Sequence, residues 1–511
     1  MALLRIQTEQ NNICIVTEPG ETAADALLRA GYPVPYVCGG RGKCGKCKIL
    51  ADGIWQQACQ MYPQKDVLIT AFGWEEPGKI QTGVSPATAE KQEEQMQIVG
   101  GSPRVKYEEM AVQQGGSAIL AVDLGTTTIA AVLVDADTGK VLDSGCCINS
   151  QRRYGADVLS RMREAAAGAG DALRMLAEAD IRGLYEQMRE RWGQGRIKHI
   201  YVAGNTAMEH LLLGESCEKL SQAPFTPVSL CERSTRLEGI PLTVLPGVSA
   251  FVGGDIAAGL LACGFDRIHR PVLFLDLGTN GEMALGTADG ILATSAPAGP
   301  AFEGGNISCG MGSIPGAVCK VRLIRERSIV KTIGDKPAAG LCGTGVLELV
   351  SELLDNGLVD GSGRLREPYA QTGYPISART TGGELIFTQQ DIRELQMAKA
   401  AIRSGVELLL KRAQVDASEV GTVYLAGGFG YYLDVRKAVR IGLLPEELER
   451  RTEAAGNTSL KGCASYGHDL SARERMARIL SAVQVMNLAE QPEFEETYIA
   501  QMSFRERGGI R

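Results

Sequence analysis

Four cysteines near the start of the chain have the type and spacing for electron chemistry. Cys38, Cys44 and Cys47 follow a C-x5-C-x2-C pattern, and Cys59 lies further on in an Ala-Cys-Gln context. Four soft thiolates are the ligand set of a [2Fe–2S] cluster. Gly39, Gly40, Gly42 and Gly45 interleave with them. Glycine visits positive φ freely, so such a loop can curl round the sulfides and aim N–H groups at them. Arg41, Lys43 and Lys46 keep positive charge beside an anionic centre. The spacing is one residue longer than the plant-type C-x4-C-x2-C, and no histidine lies in the motif, which excludes a Rieske centre. A structural zinc site also uses C-x2-C, but the glycine density and the C-x5-C arm favour iron and sulfide. Cys59 stands apart as the fourth ligand, with Cys14 as a distant substitute.

Other stretches could handle phosphate. Ala118-Ile-Leu-Ala-Val-Asp123-Leu-Gly-Thr-Thr-Thr128 is echoed by Val272-Leu-Phe-Leu-Asp276-Leu-Gly-Thr-Asn-Gly281. Ile200-Tyr-Val-Ala-Gly204-Asn-Thr is echoed by Val423-Tyr-Leu-Ala-Gly427-Gly-Phe-Gly430. A strand-DLGT, strand-AG order that occurs twice predicts two related α/β lobes. Each Gly/Thr turn can hold phosphate oxygens on N–H groups and hydroxyls, while its aspartate orients Mg²⁺ or the attacking water. One Asp-x-Gly turn is ordinary, whereas two in this order, each with an Ala-Gly turn, point to phosphate binding. Neither a P-loop nor a dinucleotide fingerprint is present.

Asp123 and Asp276 are therefore the candidate Mg²⁺ and water-orienting carboxylates, the bland alternative being caps of strand turns. Asp255 either lines a cleft or caps a helix after two glycines, and Glu282 faces either nucleotide or solvent. His210 reads as a satisfied core histidine. Cys309, Cys319 and Cys342 lack metal-ligand spacing and read as small hydrophobes. Ile392, Leu395, Ala398, Ala401, Ile402, Val406 and Leu409 recur at helical spacing, which marks a core stripe rather than a cofactor box.

These groups need positioning elements. Residues 1–75 read as a small β-grasp, with strands at 3–6 and 13–17 and a helix over 20–30 whose Ala24, Leu27 and Leu28 face inward. The cysteine loop and strands at 47–50 and 67–70 follow. Residues 76–117 lack periodicity and read as a linker, with one helix near 90–97. A chain of 511 residues, 44% hydrophobic, allows several cores. Its net charge of −7 argues against a nucleic-acid surface. No stretch approaches the roughly 18 apolar residues of a membrane helix, and the start lacks the pattern of a signal peptide. The fourteen cysteines read as reduced thiols, so a cytoplasmic location is expected.

The repeat resembles the actin, heat-shock-70 and sugar-kinase ATPase superfamily. Asp123 to Thr128 matches its first phosphate loop, Asp276 to Gly281 its second, and Ala426-Gly-Gly-Phe-Gly430 its adenosine loop. Phe251-Val-Gly-Gly-Asp255-Ile-Ala-Ala-Gly-Leu-Leu-Ala resembles the connecting helix at the interlobe hinge, where Ala257, Ala258 and Gly259 would allow close helix approach. More narrowly, the chain resembles the ferredoxin-fused reductive activators of corrinoid-dependent methyltransferases. The matching stretches include Asn149-Ser-Gln151, Tyr154-Gly-Ala-Asp157-Val-Leu-Ser-Arg161, Gly204-Asn-Thr-Ala-Met-Glu-His210 and Pro297-Ala-Gly-Pro-Ala-Phe-Glu303. Cys342-Gly-Thr-Gly345, Thr388-Gln-Gln-Asp391 and Ile441-Gly-Leu-Leu-Pro445 extend the match. Family members carry a longer stretch between the third and fourth cysteines, so a trimmed hairpin is expected before Cys59.

The resemblance implies an α+β [2Fe–2S] ferredoxin β-grasp over 1–75 and a linker over 76–117. A two-lobed α/β actin-like ATPase with duplicated RNase H-like lobes follows, over 118–270 (with the connecting helix) and 271–511. It implies nucleotide contacts from Gly125, Thr126, Thr127, Thr128, Gly278, Thr279, Asn280, Asp255, Gly427, Gly428 and Gly430, with Mg²⁺ at Asp123 and Asp276. The implied activity is ATP-dependent reduction of a Co(II) corrinoid protein to Co(I) through the cluster, with a low-potential electron donor. A homodimer is compatible with it. Two alternatives are an ATP-driven electron donor to a radical dehydratase, whose activators lack a fused ferredoxin domain, and a redox-sensing scaffold without turnover. A small-molecule kinase would have no use for an iron–sulfur domain.

Overall fold

The structure, a computed structural model, describes residues 2–7, 12–18, 20–30, 34, 42, 47–72, 116–193, 195–324, 327–376 and 384–505. The helix expected near 90–97 and nearly all of the 76–117 linker lie outside them. Five strands come first: β1 (Leu3–Gln7), β2 (Asn12–Val16), β3 (Lys48–Ala51), β4 (Ile54–Gln57) and β5 (Val67–Phe72). They form one sheet ordered β2-β1-β5-β3-β4, with β1 and β5 parallel. Period-two alternation buries Leu4, Ile6, Ile49 and Ile69 against Ala24 and Leu27 of the helix Ala23–Arg29. The side chain of Leu28 lies outside the description. The hairpin between Cys47 and Cys59 is β3–β4, closed by Asp52-Gly53 with φ of 48° and 78°. Positive φ at both central residues is the type I′ turn, whose twist matches the strands it joins.

The first lobe contains β6 (Ser117–Leu124), β7 (Thr128–Asp135), β8 (Val141–Ile148), β9 (Arg196–Gly204), β10 (Arg233–Leu237) and β11 (Ile240–Val244), in the order β10-β11-β9-β6-β7-β8. In the second, β12 (Val272–Leu277), β13 (Gly281–Thr287) and β14 (Gly290–Ala296) come first. A small sheet of β15 (Ala317–Ile324), β16 (Arg327–Thr332) and β17 (Gly340–Leu341) follows, then a hairpin of β18 (Tyr374–Ile376) and β19 (Leu385–Phe387). With β20 (Thr422–Ala426), β21 (Thr452–Gly456) and β22 (Val483–Val485), the main sheet is ordered β21-β20-β12-β13-β14-β22. Both lobes repeat one plan: an antiparallel meander, β6-β7-β8 or β12-β13-β14, then a strand parallel to its first member, β9 or β20. The helix Gln389–Ala413 buries the whole stripe from Ile392 to Leu409 in the second lobe. Its Thr388/Asp391 capping box also ties in the segment between β14 and β15, because Ser308 donates to Asp391 through N and Oγ at 2.6 and 2.5 Å. Among the described residues no helix is long and apolar enough to cross a membrane.

A third core lies between the lobes. Helices Gly254–Ala262 and Thr458–His468 pack there with the inward faces of both sheets, including Ala121, Tyr201, Phe274 and Ala293. The second helix falls in the second lobe by sequence order, yet it packs on the first lobe's sheet. A Cβ at Gly467 would lie 2.5 Å from the Tyr201 ring. The two helices meet backbone to backbone, since a Cβ at Gly462 would lie 1.8 Å from Ala258 O. Gly462→Ala must push the helices apart, and overpacking of this kind costs about 1–3 kcal/mol. We expect calorimetry to show a lower unfolding midpoint for Gly462→Ala than for wild type. Gly290→Ala, with nothing within 4 Å of its new methyl, should be close to neutral. Equal midpoints for the two variants would contradict a tight crossing.

Candidate functional site

Parallel pairing explains the repeated sequence pattern. Asp123 stands opposite Ala203, and Leu124 opposite Gly204, in the β6–β9 register. Asp276 stands opposite Ala426 in the β12–β20 register. Each aspartate thus lies one residue before the end of its strand, beside an Ala-Gly turn, at the carboxyl edge where open α/β sheets bind ligands. Glycine is required at Gly427: φ is +77° and a Cβ would lie 2.5 Å from Asp276 Oδ1. Gly428 has open space around it, and Gly430 lies in the helix Gly427–Tyr432.

The turn after Asp123 is held from behind. Asn149 Nδ2 donates to Gly125 O at 2.8 Å, and Asn205 Nδ2 to Thr126 Oγ1 at 3.1 Å. Arg161, fully buried, donates from Nη2 to Thr126 O at 2.7 Å and from Nε to Gly155 O at 2.9 Å. Asn149 N donates to Thr127 O at 3.0 Å, and Thr128 already belongs to β7. In the second turn Gly278 N donates to Asn280 O at 2.9 Å, and Thr279 Oγ1 to Glu303 Oε2 at 2.7 Å.

Five carboxylates gather around these turns: Asp123, Asp255, Asp276, Glu282 and Glu303. Each keeps some contact with solvent, and among the described residues none forms an ion pair. Burial raises all five pKa values. Asp255 is pushed up to about 8 by burial and then by Asp276 and Asp123, and Asp276 to about 7 by burial and then by Asp123 and Glu303. Asp255 is not a helix cap. The N-cap is Gly253, and Asp255 sits in the first turn with its Oδ1 accepting from Ile256 N at 2.8 Å. Glu282 is half-buried and accepts from Ser295 Oγ at 3.2 Å rather than being fully solvated.

This donor set fits a hard divalent cation carried with a polyanion. Unpaired recessed carboxylates need positive charge, and Mg²⁺ characteristically takes only one or two of them, with phosphates and water completing its shell. Accordingly, among the described residues no three His, Cys, Asp or Glu side chains converge tightly enough to chelate an ion alone. In the small domain Ala58 N donates to Cys47 O at 2.8 Å, which brings Cys47 and Cys59 together at the open end of the β3–β4 hairpin. Both thiols are buried, and Gly42, with φ of +71°, packs on Gln57 and Gln60 beside them. Cys38 and Cys44 lie outside the described residues. Cys14 is exposed on the edge strand β2, at the far side of the sheet from β3, so it is no substitute for Cys59.

His210 is a satisfied core residue. Its Nδ1 donates to Thr206 O at 2.7 Å and its Nε2 accepts from Val228 N at 2.9 Å, while burial lowers its pKa. Cys342 is buried, with its thiol 3.2 Å from Val318 O. Asn457 and Ser459, which no sequence motif above includes, donate to the two oxygens of Asp123 at 2.7 and 2.8 Å. A signal for them existed: Gly456-Asn457-Thr458 repeats Gly204-Asn205-Thr206.

Over 423 residues the chain is 32% identical to the corrinoid activation enzyme RamQ of Eubacterium limosum, covering 75% of this chain and 70% of that protein. The chain belongs to the corrinoid activation enzymes. It is also 26% identical over 430 residues to the [Co(II) methylated amine-specific corrinoid protein] reductase of Methanosarcina barkeri, covering 76% of this chain and 77% of that one. Residues 6–73 match the 2Fe-2S iron-sulfur cluster binding domain, 118–268 the RACo middle region, and 270–509 the C-terminal domain of RACo, the ASKHA domain. The fold is that of a solved reductive activator for a corrinoid, iron-sulfur protein, with a TM-score of 0.70, 24% identity, and 99% of this chain and 98% of that one covered. This corrinoid activation enzyme therefore joins a [2Fe–2S] ferredoxin-type domain to an actin-like ATPase core.

The raised carboxyl pKa values carry a pH signature. A carboxyl protonated in the fold but ionised in the unfolded chain makes stability fall as pH rises between its two pKa values. For Asp255 that window runs from about pH 4, the ordinary carboxyl value, to about pH 8. Without nucleotide or Mg²⁺, Asp255→Asn should leave the melting temperature near wild type at pH 4. The variant should gain stability progressively up to pH 8. A pH-independent difference would contradict the buried, charge-crowded environment assigned to Asp255.

Proposed function

We propose that the protein uses Mg-ATP to drive one-electron reduction of a corrinoid protein, returning Co(II) to the Co(I) state needed for methyl transfer. The carrying observation is the union, in one chain, of a cluster domain and a two-lobed cleft with a recessed carboxylate at each phosphate turn. Membership of the corrinoid activation enzymes supports the choice of electron acceptor. Cys38, Cys44, Cys47 and Cys59 hold the cluster, which when bound supplies a one-electron carrier. Asp123 and Asp276 orient Mg²⁺ and the water that attacks the γ-phosphate. Backbone N–H groups and hydroxyls of the 125–128 and 278–280 turns hold phosphate oxygens, and the Gly427–Tyr432 helix receives the adenosine end.

ATP is needed because the electron moves uphill. Each ~59 mV against a one-electron transfer costs a tenfold in equilibrium, or about 1.4 kcal/mol. Closure of the lobes on nucleotide can offset this by favouring the corrinoid-bound form in which cobalt is more readily reduced. The shift is limited by the difference in affinity between the two forms. A low-potential donor loads the small domain, and the 76–117 segment tethers it to the ATPase core.

The test mixes iron-loaded protein with a Co(II) corrinoid protein and a donor, with and without Mg-ATP, and follows Co(I) absorbance. ATP should raise the yield. Asp276→Ala should keep a reducible cluster yet lose hydrolysis and Co(I) formation by about 10²-fold, as expected when a metal- or water-positioning group is removed. Cys59→Ala should alter the [2Fe–2S] EPR signal while leaving ATP hydrolysis intact. Wild-type Co(I) yields without ATP, or from Asp276→Ala, would overturn the coupling.

A further inference from the structure

We propose that Asn457 and Ser459 are positioning residues that tie the two aspartates of the cleft together across the lobes. A continuous row of strand partners runs between them. Asp276 stands opposite Ala426, and Ala426 stands opposite Gly456. The register shifts between Leu425 and Ala426, so that Gly456 rather than Ala455 completes the row. The next residue, Asn457, leaves the second lobe's sheet and donates Nδ2 to Asp123 Oδ2 at 2.7 Å. Ser459 Oγ donates to the other oxygen, Oδ1, at 2.8 Å. Both oxygens of a first-lobe carboxylate are thereby held by a segment rooted in the second lobe.

The same asparagine does a second job. Its Oδ1 accepts from Leu460 N at 2.8 Å and so caps the helix that crosses the hinge at Gly462. Asn205, in the matching Gly-Asn-Thr turn, caps its helix through Met208 N and reaches Thr126 of the same phosphate loop. The two turns therefore grip one loop from two sides, Asn205 from within the first lobe and Asn457 from the second. Any lobe movement that shifts the crossing helices acts on Asp123 through Asn457. Holding a carboxylate in place before the reaction removes the cost of ordering it during the reaction.

This inference rests on the Mg-ATP reading of the cleft, and the test separates the two. With full-length, iron-loaded protein, ADP affinity is measured by calorimetry with and without Mg²⁺, alongside kcat and KM for Mg-ATP. Ser459→Ala should lower kcat and the Mg²⁺-dependent gain in ADP affinity by about tenfold each, the size of one lost hydrogen bond to a charged group. Affinity for ADP without Mg²⁺ should stay at the wild-type value, and Ser459→Thr should restore both losses. Asn457→Asp keeps a good helix cap but turns a donor into a charge facing Asp123, so it should lose as much as Asn457→Ala. Wild-type values for kcat and the Mg²⁺ gain in Ser459→Ala and Asn457→Asp would overturn the tie. So would an equal loss of Mg²⁺-free ADP binding, which marks a merely structural role. If Asp123→Asn itself changes neither quantity, the assignment of Asp123 fails instead.

Discussion

The backbone contact between the helices Gly254–Ala262 and Thr458–His468 is the constraint from which the rest of the ATPase core follows. The helix Thr458–His468 packs on the first lobe's sheet and Gly259 of the other helix lies against Phe274 of the second, so the interlobe core holds small side chains, Ala257, Ala258 and Ala464 among them, beside larger ones such as Phe274 and Tyr466. Such packing has discrete arrangements rather than a continuous range, because interiors are as dense as organic crystals. The N-terminal turns of both helices also reach the cleft: Asp255 lies in the first turn of one, and Asn457 and Ser459 start the other.

Electrostatics sets the resting state of this arrangement. Five acids crowd the turns after Asp123 and Asp276 without a paired cation among the described residues, and burial works against their ionisation. The cleft is thus organised for positive charge that arrives with the substrate. The burial cost of the charges is largest when the site is empty and falls when a metal-nucleotide enters. This bias favours the lobes closing on Mg-ATP over closing on nothing.

The cluster domain solves a different problem with a different device. Cys47 and Cys59 are separated in sequence by a whole hairpin, yet the type I′ turn at Asp52-Gly53 folds β3 and β4 back on each other. Cys59 then returns beside Cys47 at the open end of the hairpin, where Ala58 N donates to Cys47 O. The helix Ala23–Arg29 is fastened to the same corner, since Ala23 N donates to Met61 O at 2.7 Å.

Much of this protein was legible in its sequence because short-range rules decide it. The cysteine spacing, the paired Asp-Leu-Gly-Thr and Ala-Gly turns and the helical stripe from Ile392 to Leu409 follow from ligand chemistry, turn chemistry and periodicity, each within a few residues. Tertiary structure alone decided which strands lie side by side, and so why Asp276 meets Gly427 and Asp123 meets Ala203. It also decided that Thr458–His468 packs on the first lobe's sheet, and that Asp255 faces other acids instead of capping a helix. Asn457 and Ser459 show the boundary most sharply. Their cap signal is local, but their acceptor is more than three hundred residues away, at hydrogen-bond distance only because β21 runs parallel to β20 and ends at the cleft. Local propensity has no access to such a contact, because strand order and register are set by burial of whole faces and not by the residues that end up touching.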